Sequence, residues 1–120
     1  MIVLVVDDDA FAIKLAKAVL EKEGANVIGV STWPEVNAAF FDHEVALAFI
    51  DCQMPGLQGD QLVRILKQSP RGKKTPLILV SSLPEDDIRA RAESSAADGW
   101  LQKPLTTSKV RTILRKHLPG

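Results

Sequence analysis

Apolar and polar positions alternate along this chain in two periods, and the switch between them divides it into strands and helices. Ile2 to Val6 is an unbroken β-branched and leucine run, the pattern of a strand covered on both faces, and Asp7-Asp8-Asp9 ends it. A helix is predicted from Ala10 to Lys22, with Phe11, Leu15, Ala18 and Val19 recurring along one face and Gly24 closing it. Asn26 to Val30 reads as a short second strand. Thr32 and Glu35 form a capping box with Pro34 in the first turn, so a second helix should run from Trp33 to about His43. Val45 to Ile50 is a third apolar strand, and Pro55 and Gly56 mark the loop beyond it.

Gly59 and Asp60 open a third helix, with Leu62, Val63, Ile65 and Leu66 as its apolar stripe through to about Ser69. Ser69 to Pro76 reads as a polar, basic turn, and Leu77 to Val80 as a fourth strand leading into Ser81 and Ser82. The helix predicted over 84–97 carries little apolar surface beyond Ile88, which makes it the weakest and the readiest to move. Trp100 to Gln102 is a short fifth strand, broken by Lys103-Pro104. Thr107 or Ser108 then caps a last helix that turns Val110, Ile113, Leu114 and Leu118 to the core. Five strand–helix units imply a doubly wound α/β fold: a five-stranded parallel sheet in the order 2-1-3-4-5, helices on both faces, and strands 1 and 3 adjacent at the switch point.

Composition narrows the function without choosing it. At 120 residues the chain suggests one domain, residues 1–120. Its 15 basic and 15 acidic residues balance, so no global field draws it to nucleic acid or anionic lipid. The single cysteine, Cys52, allows no internal disulfide and no cysteine-based zinc site. No apolar run approaches the roughly 18 residues of a membrane span. Met1 to Val6 resembles the start of a signal peptide, but three aspartates follow it at once with no basic leader, so a soluble, cytoplasmic protein is expected.

The predicted topology gathers polar groups at one edge of the sheet. Strand 1 delivers Asp7 and Asp8, strand 3 Asp51, strand 4 Ser81 and strand 5 Lys103. Open α/β sheets bind their ligands at this edge. Three neighbouring carboxylates repel by roughly 4 kcal/mol per pair at an effective dielectric of about 20, a cost that a hard divalent cation removes. Magnesium, which prefers oxygen donors and bridges carboxylates to phosphate, suits the cluster better than zinc. Lys103 supplies a point charge for a phosphoryl oxygen, and the Ser81 hydroxyl a donor for another.

The segments Val5-Val6-Asp7-Asp8-Asp9, Ile50-Asp51-Cys52-Gln53-Met54-Pro55-Gly56, Val80-Ser81-Ser82 and Gly99-Trp100-Leu101-Gln102-Lys103-Pro104 resemble those of the receiver domain of bacterial two-component response regulators. The resemblance covers essentially the whole chain and implies the flavodoxin-like fold already drawn. It implies that Asp51 is the phosphoacceptor, Asp8 a direct Mg2+ ligand, Asp7 a ligand mainly through water, and the Gln53 backbone carbonyl a further ligand. It makes Ser81 the switch hydroxyl, Lys103 the phosphate-contacting lysine with a cis bond to Pro104, and Trp100 the switch aromatic, where Tyr or Phe is more usual. The implied partners are a histidine kinase or a histidine phosphotransfer protein and an unknown downstream effector. The switched face is the one formed by the helix over 84–97, the fifth strand and the last helix. Similar wording around Asp51 occurs in receivers attached to hybrid sensor kinases, so a larger parent protein is compatible with the sequence.

Rival readings fit less well. A haloacid-dehalogenase-type phosphatase would use Asp7 and Asp9 as its Asp-x-Asp, yet needs acidic residues after its lysine, and none follows Lys103. A flavin carrier of the same architecture wants a hydroxyl- and Gly-rich phosphate loop where three aspartates stand. A pseudo-receiver that only binds a partner would lack the acceptor, the acidic pair or the lysine. Away from the cluster, blander readings hold. Asp9 is read as a helix cap, Cys52 as a buried thiol, and His43 and His117 as solvated residues near helix ends. Lys109, Arg111, Arg115 and Lys116 form a solvated basic face, Trp33 packs where the second helix begins, and Gln53 and Leu83 flank the path of water to the phosphoryl group.

Overall fold

The computed structural model describes residues 1–54 and 56–118. The turn role predicted for Pro55 therefore lies outside the described residues. Strands β1 (Ile2–Val6), β2 (Asn26–Val30), β3 (Val45–Asp51), β4 (Leu77–Ser81) and β5 (Gly99–Gln102) pair in parallel in the order β2-β1-β3-β4-β5. Helices α1 (Ala10–Lys22), α2 (Trp33–Asp42), α3 (Gly59–Lys67), α4 (Pro70–Lys74), α5 (Glu85–Ser95) and α6 (Thr107–His117) make the crossovers. Among the described residues, no helix is long and apolar enough to cross a membrane.

The central strands are apolar up to their carboxyl ends, where β3 closes on Asp51 and β4 on Ser81, because the sheet is covered twice. Alternate residues feed two separate cores. Val3, Val5, Leu47, Phe49, Ile78 and Val80 pack with Ala16 and Leu20 of α1 and Val110 and Ile113 of α6. Leu4, Val6, Ala48, Ile50, Cys52 and Leu79 pack with Val36 and Phe40 of α2, Leu62, Val63 and Leu66 of α3, and Ile88 and Ala92 of α5. Asp51 and Cys52 are neighbours in sequence that point to opposite layers.

Several local expectations change. The apolar stripe read along α1 faces outward at Phe11, 65% exposed, and Leu15, 53% exposed, while Ala16 and Leu20 are buried with Ile13 packed beside them. Gly29 explains the choice, since a Cβ there would lie 2.4 Å from Ile13 Cγ2; the bare strand makes room for Ile13. Ile65 likewise turns outward from α3. The basic turn after Ser69 contains the short helix α4, because the Ser69 hydroxyl caps it by accepting from Gly72 N–H at 3.1 Å. Arg71 of α4 donates to the Phe40 and Phe41 carbonyls, satisfying the end of α2. Thr106, ahead of the two predicted candidates, caps α6 by accepting from Lys109 N–H at 3.3 Å. Asp9 caps α1 as expected, accepting from Phe11 N–H at 2.9 Å.

Candidate functional site

The carboxyl ends of β1 and β3 place three carboxylates together. One ligand oxygen from each of Asp7, Asp8 and Asp51 lies within 4.8 Å of the others; Asp7 and Asp51 are buried and Asp8 is exposed. Lys103, in the loop after β5, reaches back so that its Nζ stands 3.0 Å from Asp7 Oδ2 and 3.6 Å from Asp51 Oδ1. The Lys103–Pro104 bond is cis, as the resemblance implies. Asp9 N–H donates to Asp7 Oδ1 at 3.0 Å, and Gln53 N–H to Asp51 Oδ1 at 3.4 Å, so the loops themselves orient the carboxylates.

The charges in this cluster do not balance. Burial pushes the Asp51 carboxyl up to about 6; Lys103 draws it down, and the Asp7 carboxylate raises it again. Burial alone would lower the Lys103 ammonium, but Asp7 and Asp51 outweigh it and hold it above the usual lysine value. One ammonium against three carboxylates leaves two negative charges for a cation to balance. The donors are all oxygen, and one carboxylate is open to water. Those features fit magnesium, with its preference for oxygen and retained waters.

Ser81 and Trp100 stand apart from the carboxylates. Ser81 is fully buried and its hydroxyl accepts from Leu83 N–H at 3.0 Å. Val80, the residue before it, is the register partner of Asp51, so the Ser81 side chain belongs to the opposite layer with Cys52. Burial raises the Cys52 thiol to about 11, which makes it the inert structural group expected. Trp100 packs against the α2/α3/α5 layer, with the Arg89 guanidinium of α5 5.5 Å from its ring centroid. No sequence signal pairs Arg89 with Trp100, because the two meet only through the α5–β5 crossover.

A groove of about 540 Å³ runs from Asp51 and Lys103 along α1, past Phe11 and Leu15. A larger hollow of about 900 Å³ lies at the opposite edge of the sheet, around His43 and His117, away from the carboxylates. His117 is not solvated as expected: its Nε2 is buried without a hydrogen-bond partner, and burial lowers its pKa. The basic face of α6 is also partly engaged. Lys109 Nζ donates to the Gln102 and Pro104 carbonyls at 2.9 and 3.2 Å, and Arg111 pairs with Glu23, the residue that caps the end of α1.

The sequence model of the response regulator receiver domain matches residues 3–115. The chain belongs to that family. The receiver is 28% identical to protein PilG of Pseudomonas aeruginosa over 98% of this chain and 87% of that protein. It is 31% identical to the transcriptional regulatory protein CpxR of Escherichia coli over 95% of this chain, yet spans about half of CpxR, 49% of its length. Its fold is that of the receiver domain of sensor histidine kinase PA1611 from Pseudomonas aeruginosa, at a TM-score of 0.86 and 20% identity, covering 97% of this chain and 95% of that one. The PA1611 structure holds a magnesium ion coordinated in its active-site cleft. As a receiver domain the chain is a phosphoacceptor signalling switch and not a typical enzyme, and neither phosphatase, flavin carrier nor pseudo-receiver is favoured.

Proposed function

We propose that Asp51 is the residue that takes the phosphoryl group, from a phosphohistidine on a histidine kinase or a histidine phosphotransfer protein. The observation that carries this reading is the convergence of Asp7, Asp8 and Asp51 on one point with Lys103 bridging two of them. A carboxylate oxygen of Asp51 forms a bond to phosphorus in line as the phosphorus–nitrogen bond breaks, and the leaving imidazole nitrogen keeps the electron pair. Lys103 neutralises a transferring oxygen. Asp8, Asp7, Asp51 and the Gln53 carbonyl would hold magnesium, which when bound supplies charge neutralisation at the phosphoryl oxygens. The acyl phosphate so formed is labile. Water attacking phosphorus returns the carboxylate and inorganic phosphate, with Gln53 and Leu83 beside its path.

The output is a change of shape. The Ser81 hydroxyl leaves Leu83 N–H for a phosphoryl oxygen, and Trp100 moves within the face made by α5, β5 and α6. Its bulk limits that movement more than a smaller ring would. Driving such a face from 1:99 to 99:1 takes about 5.5 kcal/mol of differential stabilisation, within reach of a few charge-assisted bonds. The donor and effector act in the cytoplasm, and the effector is a separate chain or a further segment of a longer protein.

Beryllofluoride, a phosphoryl mimic for an aspartate, tests the assignment. With magnesium present, Trp fluorescence of the native chain should change on adding it, and Asp51→Asn should abolish the response. Equal responses in the two proteins would overturn the reading.

A further inference from the structure

Asp60, in the first turn of α3, has a side-chain oxygen, Oδ1, that is buried and accepts no hydrogen bond. Arg91 of α5 faces it, with Nη1 at 3.7 Å. That nitrogen donates instead to Oε1 of Gln58, the residue preceding α3, at 2.9 Å. A guanidinium bond to a carboxylate is stronger than one to an amide. One donor is therefore bonded to its neutral neighbour and stops short of its charged one.

The same turn of α3 bears directly on the acceptor. Gly59 N–H donates to the Cys52 carbonyl at 2.9 Å. A Cβ on Gly59 would lie 2.0 Å from the Asp51 carbonyl oxygen, so the helix start and the Asp51 backbone are in closest packing. Any displacement of the Asp51 backbone would therefore press on the turn that carries Gln58 and Asp60. On the far side of the contact, α5 is lightly anchored, burying only Ile88, Ala92 and Ser95.

We propose that Arg91 is a two-position latch between the acceptor turn and α5, held on Gln58 in the unphosphorylated protein and on Asp60 in the phosphorylated one. The latch rests on the reading of Asp51 as phosphoacceptor and deepens it, adding a route through α3 to the one through Ser81. A shift of about 1 Å brings Nη1 within hydrogen-bond range of Asp60 Oδ1. Arg91 is thus a positioning residue: it touches no reacting atom and biases which arrangement of α5 prevails.

The test is calorimetric titration with beryllofluoride and magnesium of the full chain, Asp60→Ala and Gln58→Met. Losing a bond made only in the switched state weakens binding, and losing one made only in the resting state tightens it. Asp60→Ala should bind about 3- to 10-fold more weakly than the native chain, and Gln58→Met tighter by a similar factor. In an Arg91→Met background both effects should vanish. Melting curves identify folded variants, and damage shared equally by the two states leaves affinity unchanged, so general destabilisation does not mimic opposite signs. If the native chain binds and both variants match it within about twofold, or shift in the same direction, the latch is overturned. If the native chain itself fails to bind, the phosphoacceptor reading falls, and the latch with it.

Discussion

Asp51 is held in a state that is costly until something binds beside it. Its carboxyl is raised from 3.8 to about 6 by burial, so the folded protein binds a proton more tightly than the unfolded chain does. That contribution to stability is full below pH 3.8 and is lost as pH rises through about 6. At pH 7 the ionised group therefore works against folding. Asp51→Asn should stabilise the magnesium-free protein by roughly 2 kcal/mol, read by urea denaturation. An unchanged or lowered midpoint would contradict this. Gly59 has the opposite character: a methyl group there collides with the Asp51 carbonyl and the Cys52 Cα. Gly59→Ala should cost about 3 kcal/mol in the same measurement, because backbone, unlike a flexible side chain, has nowhere to give.

Among the elements, α5 is weakly held for its length. It lacks a side-chain N-cap bond and buries Ile88, Ala92 and Ser95, where α3, two residues shorter, buries Leu62, Val63 and Leu66. Its amides should exchange with deuterium faster than those of α3 in the phosphoryl-free protein, and slow markedly with beryllofluoride and magnesium. Protection equal to that of α3 before ligand is added would contradict the weakness of this helix. This much was legible in the sequence, since a run of Glu, Asp, Arg, Ala and Ser offers no apolar stripe. The facing of α1 was not. Phe11 and Leu15 make one apolar row and Ile13, Ala16 and Leu20 another, and the choice rests on the space above Gly29, a residue of a different strand. Helix α4 was hidden for a similar reason: Arg71 finds its acceptors on α2, thirty residues away in the chain. Among three consecutive hydroxyl residues, Thr106 became the cap of α6 by backbone geometry that composition does not encode.

For the molecule as a whole, strand order and the meeting of Asp7, Asp8, Asp51 and Lys103 were legible, because buried strands announce themselves as apolar runs and polar residues at their ends stand out. What escaped was the opposite end of the sheet. His117 lies there with Nε2 buried, where, besides burial, the Lys116 and Lys67 ammonium groups also lower its pKa and the Asp98 carboxylate raises it. Burial lowers its pKa from 6.5, so below pH 6.5 the unfolded chain takes up a proton that the folded one refuses. Stability should fall as pH drops through 6.5 and level off below the folded-state value. His117→Gln should flatten that part of the stability–pH curve; an identical slope in the variant would remove His117 as its source.

The alternation along the strands has one more consequence, for how the gene can change length. Asp51 opens to the layer of α1 and α6, and Cys52 sits in the layer of α2, α3 and α5; Leu101 and Trp100 divide in the same way. An odd or even position within a strand thus decides whether a residue stands with Asp51, beside α1 and α6, or with Cys52, beside α2, α3 and α5. Deleting one codon in β3 or β5 would send a carboxylate into apolar packing, or a tryptophan to the wrong layer. One codon more or fewer around residue 44, in the connection between α2 and β3, meets no such parity. Length variation in this family should therefore gather in the connections, and the strands should keep count.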